Sequence, residues 1–434
     1  MRRVVGRVPF VFPDKGEQLD FTSLPNPVGS EWGDLMGHRQ KLKIGVMEVT
    51  SSDLDGIGGV ETYVKGLNSE LLRNHSIDIH TVYRSVDRGS KDRVVACGGS
   101  RLFMHPVYTG EETEVHRLKR LVKMSRRVND ILKTEDIDIV NFHGQLGSSM
   151  ILPAMIPYMK GTPVVVTSHG EFGIEGFRHP IKAVGLSLGS AFTRFATVRT
   201  GVSAVAADSL GPGSIVVGSL CDIDFFNPEN SEVNPESFRK QVGAQNKKLI
   251  LYPARITGLK GQMDFVKMCE KLPEMLEGFD FKAVVVGPSF DEDYLRQIRE
   301  YIVAHDLGER VVIMDGVDHK RLRDMYAASD LVVFPTYQEG LGLTAVESLA
   351  MKTPVVAYNT GGIPEVVEEG KTGFLVAQGD IGGLCEKAKK VLTDPNLSAS
   401  MGDEGRKQMI EKFSPEKLAQ RYMQLYKRII SGQI

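Results

Sequence analysis

Cysteine is scarce. Only Cys97, Cys221, Cys269 and Cys385 occur in 434 residues, widely spaced and with no Cys-x-x-Cys pair. That argues against a disulfide framework and for reduced, mostly packed thiols. Tryptophan occurs once, at Trp32. Neither charge sign dominates: the formal net charge is −2, which gives no bulk pull toward nucleic acid. No apolar run is long enough to span a bilayer. After Met1-Arg2-Arg3, Arg7 and Pro9 interrupt the apolar stretch, so it does not read as a secretory leader and a cytoplasmic location is expected. No metal-ligand cluster appears, since the Asp222-x-Asp224 pair lies away from the glycine turns, and neither a metal nor another cofactor is expected. What remains is ordinary soluble composition, 41% hydrophobic and 25% charged, in a chain long enough for two domains.

Residues 1–40, with Pro9, Pro13, Pro25 and Pro27, read as an extension. A first domain is expected over 41–235. Near-continuous apolar runs mark strands at Lys41–Val49, Ile77–Tyr83, Ile137–Phe142, Pro163–Ser168, Thr197–Val202 and Ser214–Val217, with helical patterns between most of them. This alternation predicts α/β architecture, an open parallel sheet with helices on both faces. Ligands in such sheets sit at the C-terminal strand ends, where His143 and His169 stand. Gly56, Gly58 and Gly59 make a turn after the first strand, but not with the Gly-x-Gly-x-x-Gly spacing of a dinucleotide site. Within 112–133 an apolar stripe (Val115, Leu118, Leu121, Val122, Val128, Ile131, Leu132) shares a helix with Arg117, Lys119, Arg120, Lys123, Arg126 and Arg127. Two readings stay open, a solvated surface helix and a patch that meets anionic head groups. The polar run 227–248 reads as a linker.

A second domain is expected over 245–412, followed by a terminal helix over 413–434. Its centre is Phe334–Glu347, FPTYQEGLGLTAVE. An apolar strand, Leu331–Phe334, runs through Gly340 and Gly342 into a helix carrying Thr344 and Glu347. Strand, glycine turn and helix start place backbone amides and the positive dipole end together, which suits a phosphate. Glu339 and Glu347 cannot hold phosphate and read as acceptors for hydroxyls. Hydroxyls beside a diphosphate suggest a nucleotide-sugar. Arg255 and Lys260 bracket another strand-end turn, as a diphosphate leaving group would require.

Glu339, seven residues and Glu347 resemble the E-x7-E motif of retaining GT-B glycosyltransferases, the family 4 group in particular. The resemblance continues through Gly361-Gly362-Ile363-Pro364-Glu365 and Thr372-Gly373-Phe374-Leu375, and in Ala254-Arg255-Ile256-Thr257-Gly258-Leu259-Lys260-Gly261. It implies two Rossmann-like doubly wound domains facing across a cleft, the last helix crossing back to the first, and a retaining, metal-independent transfer from a nucleotide-diphosphate sugar to a hydroxyl of a lipid, glycan or small molecule. Under it, His169, Glu339, Arg255 and Lys260 are catalytic. Gly58, Gly59, Gly287, Val317, Gly340, Leu341, Gly342, Leu343 and Glu347 bind the donor, and His143, Glu61 and Glu171 are candidates for contact with acceptor or sugar. It also lends weight to peripheral contact of helix 112–133 with a membrane.

Three other classes stay open here: an epimerase or phosphorylase of the same fold, a Rossmann oxidoreductase, and a non-catalytic nucleotide-sugar-binding protein. Reaction without an acceptor, nicotinamide binding, or donor binding without turnover would mark each in turn.

Overall fold

The computed structural model describes residues 43–54, 59–97, 99–109, 114–144, 150–170, 195–276, 278 and 280–434, without the side chains of 74 and 114–119. The extension 1–40 with Trp32, Gly58 and Glu171 lie outside the described residues.

The first half of the chain comprises β1 (Ile44–Asp53), α1 (Gly59–Asn74), β2 (Ile77–Ser85), β3 (Arg93–Cys97), β4 (Ser100–Tyr108), α2 (Glu114–Thr134), β5 (Ile139–His143), α3 (Ile151–Met159), β6 (Val164–Ser168), β7 (Val198–Gly201), α4 (Ala204–Asp208) and β8 (Ile215–Val216). Its eight-stranded sheet has the order β3-β4-β2-β1-β5-β6-β7-β8. Every pairing is parallel except β3 with β4. Strands β1, β5 and β6 are buried on both faces, which is why they read as unbroken apolar runs.

After α5 (Pro235–Gln241) come β9 (Lys248–Pro253), α6 (Gln262–Lys271), β10 (Phe281–Val286), α7 (Glu292–Ala304), β11 (Val311–Met314), α8 (His319–Ala328), β12 (Leu331–Phe334), α9 (Leu343–Ala350), β13 (Val355–Tyr358), α10 (Ile363–Val366), β14 (Gly373–Val376), α11 (Ile381–Thr393), α12 (Pro395–Phe413) and α13 (Pro415–Ile430). The second sheet, β11-β10-β9-β12-β13-β14, is wholly parallel. The fold is α/β with two Rossmann-like, doubly wound sheets, as the sequence predicts.

Two expectations change. The edge hairpin β3–β4 was not foreseen, because every residue of β3 is exposed and no buried face imposes a pattern. The run 227–248 is not a plain linker. Asn234 caps α5, Phe238 within it is fully buried, and Arg239 donates to Asp330 Oδ2 at 2.6 Å, so the segment is docked on the second sheet's side.

In each sheet the winding reverses direction at one place, between β1 and β5 and between β9 and β12. Adjacent crossovers there leave by opposite faces and open a crevice at the C-terminal strand ends.

Candidate active site

At the second sheet's reversal point, β9 ends in Pro253-Ala254-Arg255 and β12 leads into Glu339. Lys260, in the turn after β9, places Nζ 2.5 Å from Glu339 Oε2, and both side chains are mostly buried. Neither charge would be stable there alone, so each answers the other's desolvation. Arg255 is exposed and lies over the Phe290 ring, 5.5 Å from its centroid.

The glycines around this pair are required by close approach. Gly342, at φ +98, precedes α9 with no side-chain cap, so the first amides of the helix stay unclaimed by a capping side chain. A Cβ at Gly361 (φ +52) would fall 1.9 Å from the Glu339 carbonyl oxygen, and one at Gly287 would fall 2.1 Å from that of Ala254. Leu341 is buried, Leu343 and Val317 half-buried.

One turn into α9, Glu347 accepts from Tyr326 OH at 2.9 Å. Burial lifts its pKa to about 7, against the opposing pull of that hydrogen bond. Thr344 Oγ1 donates to the Pro253 carbonyl at 3.2 Å, tying α9 to the end of β9.

The first sheet meets this loop directly. A Cβ added at Gly340 would lie 2.7 Å from Gly170 Cα and 2.8 Å from the His169 carbonyl oxygen. Gly59, at the start of α1, would place its Cβ 3.2 Å from Leu343 Cδ1. Ser203 Oγ donates to the Gly340 carbonyl at 2.5 Å, and the Ala204 amide donates to both Glu365 oxygens, at 2.9 and 3.1 Å. Glu61 lies half-buried in the first turn of α1.

His143 and His169 end adjacent strands and join through His143 Nδ1 and His169 Nε2 at 3.2 Å. Burial, and then its neighbour His143, hold the His169 pKa well below the ordinary value, so its ring is neutral. Behind them lies a group that motif reading did not single out. Glu48, Asn141, His143, Thr167 and Thr200 are same-face neighbours across β1, β5, β6 and β7. His143 Nε2 bonds Glu48 Oε2, and Asn141 Nδ2 lies 3.0 Å from the same nitrogen. Tyr426 of α13 donates to Glu48 Oε1 at 2.9 Å, and Tyr422 OH lies 3.0 Å from both Thr167 Oγ1 and Tyr63 OH. One signal was available: a carboxylate in the middle of the apolar run KIGVMEV cannot be buried without partners.

The arrangement sets a lysine–carboxylate pair and an uncapped helix start on one wall, and a neutral histidine on the other. Comparison with known proteins agrees with it. The family described as Glycosyl transferases group 1 matches residues 233–408, and Glycosyltransferase Family 4 matches residues 57–212. The chain is a GT-B glycosyltransferase of the family 4 type.

Among its relatives is the GDP-mannose-dependent alpha-(1-6)-phosphatidylinositol monomannoside mannosyltransferase of Mycolicibacterium smegmatis. It is 27% identical over 374 residues, covering 80% of this chain and 89% of the relative. A glycosyltransferase of Methanocaldococcus jannaschii is 25% identical over 402 residues, 86% of this chain and 94% of the relative. In fold, the chain is similar to Anabaena HepE in complex with UDP (TM-score 0.68, 18% identity, 88% of this chain and 100% of that one). It is also similar to sucrose-phosphate synthase of Thermosynechococcus elongatus (TM-score 0.71, 20% identity, 90% and 100%). Among the described residues, no helix of this glycosyltransferase is long and apolar enough to cross a membrane.

Proposed function

We propose that the enzyme moves a sugar from a nucleotide-diphosphate donor to a hydroxyl acceptor, with retention of anomeric configuration and without a metal ion. The observation that carries this reading is the Lys260–Glu339 pair at the second sheet's reversal point, beside the uncapped start of α9. A donor diphosphate laid there meets Lys260, the α9 amides and, at the rim, Arg255. These offset the negative charge that grows as the bond between the anomeric carbon and phosphate oxygen breaks. Release of Glu339 from Lys260 frees its oxygens for sugar hydroxyls. Glu347, a turn further in, accepts from the ribose. Gly287 and Val317 lie toward the base, and Gly340 to Leu343 line the phosphates.

The acceptor enters from the first sheet, past Gly59, Glu61 and His169. The acceptor oxygen bonds the anomeric carbon on the face the phosphate leaves, and its proton passes to the departing phosphate oxygen. His169, neutral, holds the sugar by hydrogen bond. The relative's GDP-mannose dependence makes a guanosine donor the first to test.

The same reading places the enzyme in the cytoplasm, at the inner face of a membrane. Lys123 and Arg126 are exposed on α2, and the adjoining α3 exposes Leu152 (43%), Tyr158 (55%) and Met159 (77%). Cations beside protruding apolar side chains suit an anionic lipid surface.

The test is a donor screen: purified enzyme with GDP-, UDP-, ADP- and TDP-sugars, with and without EDTA, following nucleotide release. Slow release from one donor, unchanged by EDTA, is expected. Release abolished by EDTA would overturn metal independence, and donor turnover with nicotinamide or without sugar release would overturn the transfer itself.

A further inference from the structure

The geometry points to Glu48 as a positioning residue for the transfer: through His143 it fixes the tautomer and orientation of His169. This rests on the reading above, in which His169 touches the sugar.

Glu48 lies in the middle of β1 with 0% exposure, and His143 is 2% exposed. A buried carboxylate is retained only with its lone pairs occupied. Here Oε1 accepts from Tyr426 OH at 2.9 Å and Oε2 faces His143 Nε2. Tyr426 itself accepts from Asn141 Nδ2 at 3.1 Å, so its own proton points to Glu48. Burial, with Glu48 adding to it, keeps that phenol protonated. With Oε1 so engaged, the carboxylate oxygen Oε2 takes the His143 Nε2–H, and Asn141 Nδ2, which also lies 3.0 Å from that nitrogen, donates to Tyr426 OH instead. His143 Nδ1 is then an acceptor, and His169 donates its Nε2–H to it across 3.2 Å. The other His169 nitrogen, Nδ1, is left as an acceptor for a hydroxyl.

The rings are held from the sides as well. Tyr63 meets His169 edge-on, with centroids 4.6 Å apart, and is anchored by Tyr422 and by the Gly218 carbonyl. Thr167 ties Tyr422, Asn141 and Thr200 together. A carboxylate that orients one imidazole, which orients another, sets which atom the second presents to its ligand.

The test uses the full chain. In Glu48→Gln the amide keeps its volume and an oxygen for Tyr426, but its N–H₂ turned to His143 Nε2 demands a lone pair there. The His143 and His169 tautomers should both invert, visible in ¹⁵N-histidine spectra assigned with His169→Asn. By analogy with carboxylates behind ligating histidines, kcat should fall roughly 10- to 100-fold while donor affinity stays within about twofold. The double variant Glu48→Gln with His169→Ala should be no slower than His169→Ala alone. Unchanged tautomers, near-wild-type kcat in Glu48→Gln, or additive losses would each overturn the positioning role. Near-wild-type kcat in His169→Ala would instead overturn the reading of His169 on which it rests. Should Glu48→Gln not fold, Tyr426→Phe replaces it: it removes one hydroxyl, and a smaller loss of kcat with altered His143 signals is expected. Unaltered signals with altered kcat would count against the proposal.

Discussion

Ser203 Oγ donates to the carbonyl of Gly340 at 2.5 Å, and so the first sheet's β7–α4 corner is bonded to the loop that carries Glu339. The next amide, Ala204, is held by Glu365. Both bonds bridge the two sheets and belong to a closed arrangement of the cleft. Glu365→Ala should loosen it, at a cost of about 1–3 kcal/mol for the orphaned amide. Small-angle scattering should then show a larger radius of gyration than wild type. An unchanged radius would mean that this contact does not hold the cleft closed.

Gly340→Ala tests the same seam sterically. Its Cβ would meet Gly170 and His169 on the opposite wall rather than its own sheet. Transfer should fall about tenfold or more through lost alignment, with a smaller loss of donor affinity because Gly340 also lines the proposed phosphate site. Full transfer activity would show that catalysis does not require this approach.

Lys260→Ala removes the cation nearest the proposed leaving phosphate and leaves Glu339 uncompensated. A loss of about 10²–10³ in kcat is expected, the size seen when one preorganised charge stabiliser is deleted. Glu339→Ala should fall in the same range. Near-wild-type turnover in either would remove these residues from the mechanism.

The pH response of Glu347 has a definite sign. Its folded pKa, about 7, exceeds the ordinary 4.5 because of burial. The protonated form is therefore the one the free fold favours. Its stabilising contribution is complete below pH 4.5 and is lost as pH rises through about 7. Ribose binding by the carboxylate should run the other way, so donor affinity measured by calorimetry should tighten from about pH 6 to about pH 8. Glu347→Gln should flatten that rise. An equal pH dependence in the variant would dismiss Glu347 as its source.

Flotation with liposomes tests the membrane surface. Binding to vesicles rich in anionic lipid should exceed binding to neutral vesicles and weaken in Lys123→Glu with Arg126→Glu, by about 1 kcal/mol for each cation removed. Equal partition onto both vesicle types would leave α2 and α3 as a solvated face.

The second sheet was the more legible half because its site is nearly continuous in sequence. Glu339, the glycines and Glu347 follow one strand, and Lys260 follows the neighbouring one. The first-sheet network was less legible for a physical reason. Glu48, Asn141 and Thr167 are single polar residues inside apolar strands, and pairing them requires knowing the strand order. Tyr426 is 285 residues from Asn141 and 378 from Glu48, a separation that no local pattern spans. The α5 segment misled because five charged and polar residues in a seven-residue helix hide one anchoring residue, Phe238.

The return of α13 to the first sheet also constrains how the chain matures. On the ribosome, β1 emerges well ahead of α13, and Glu48 gains its hydroxyl partner only when Tyr426 is made, 378 residues later. The two halves, although each has its own sheet, are therefore finished together. A nascent or truncated chain ending before Tyr426 would carry an incompletely paired acid inside β1, and its first sheet would be less stable for it.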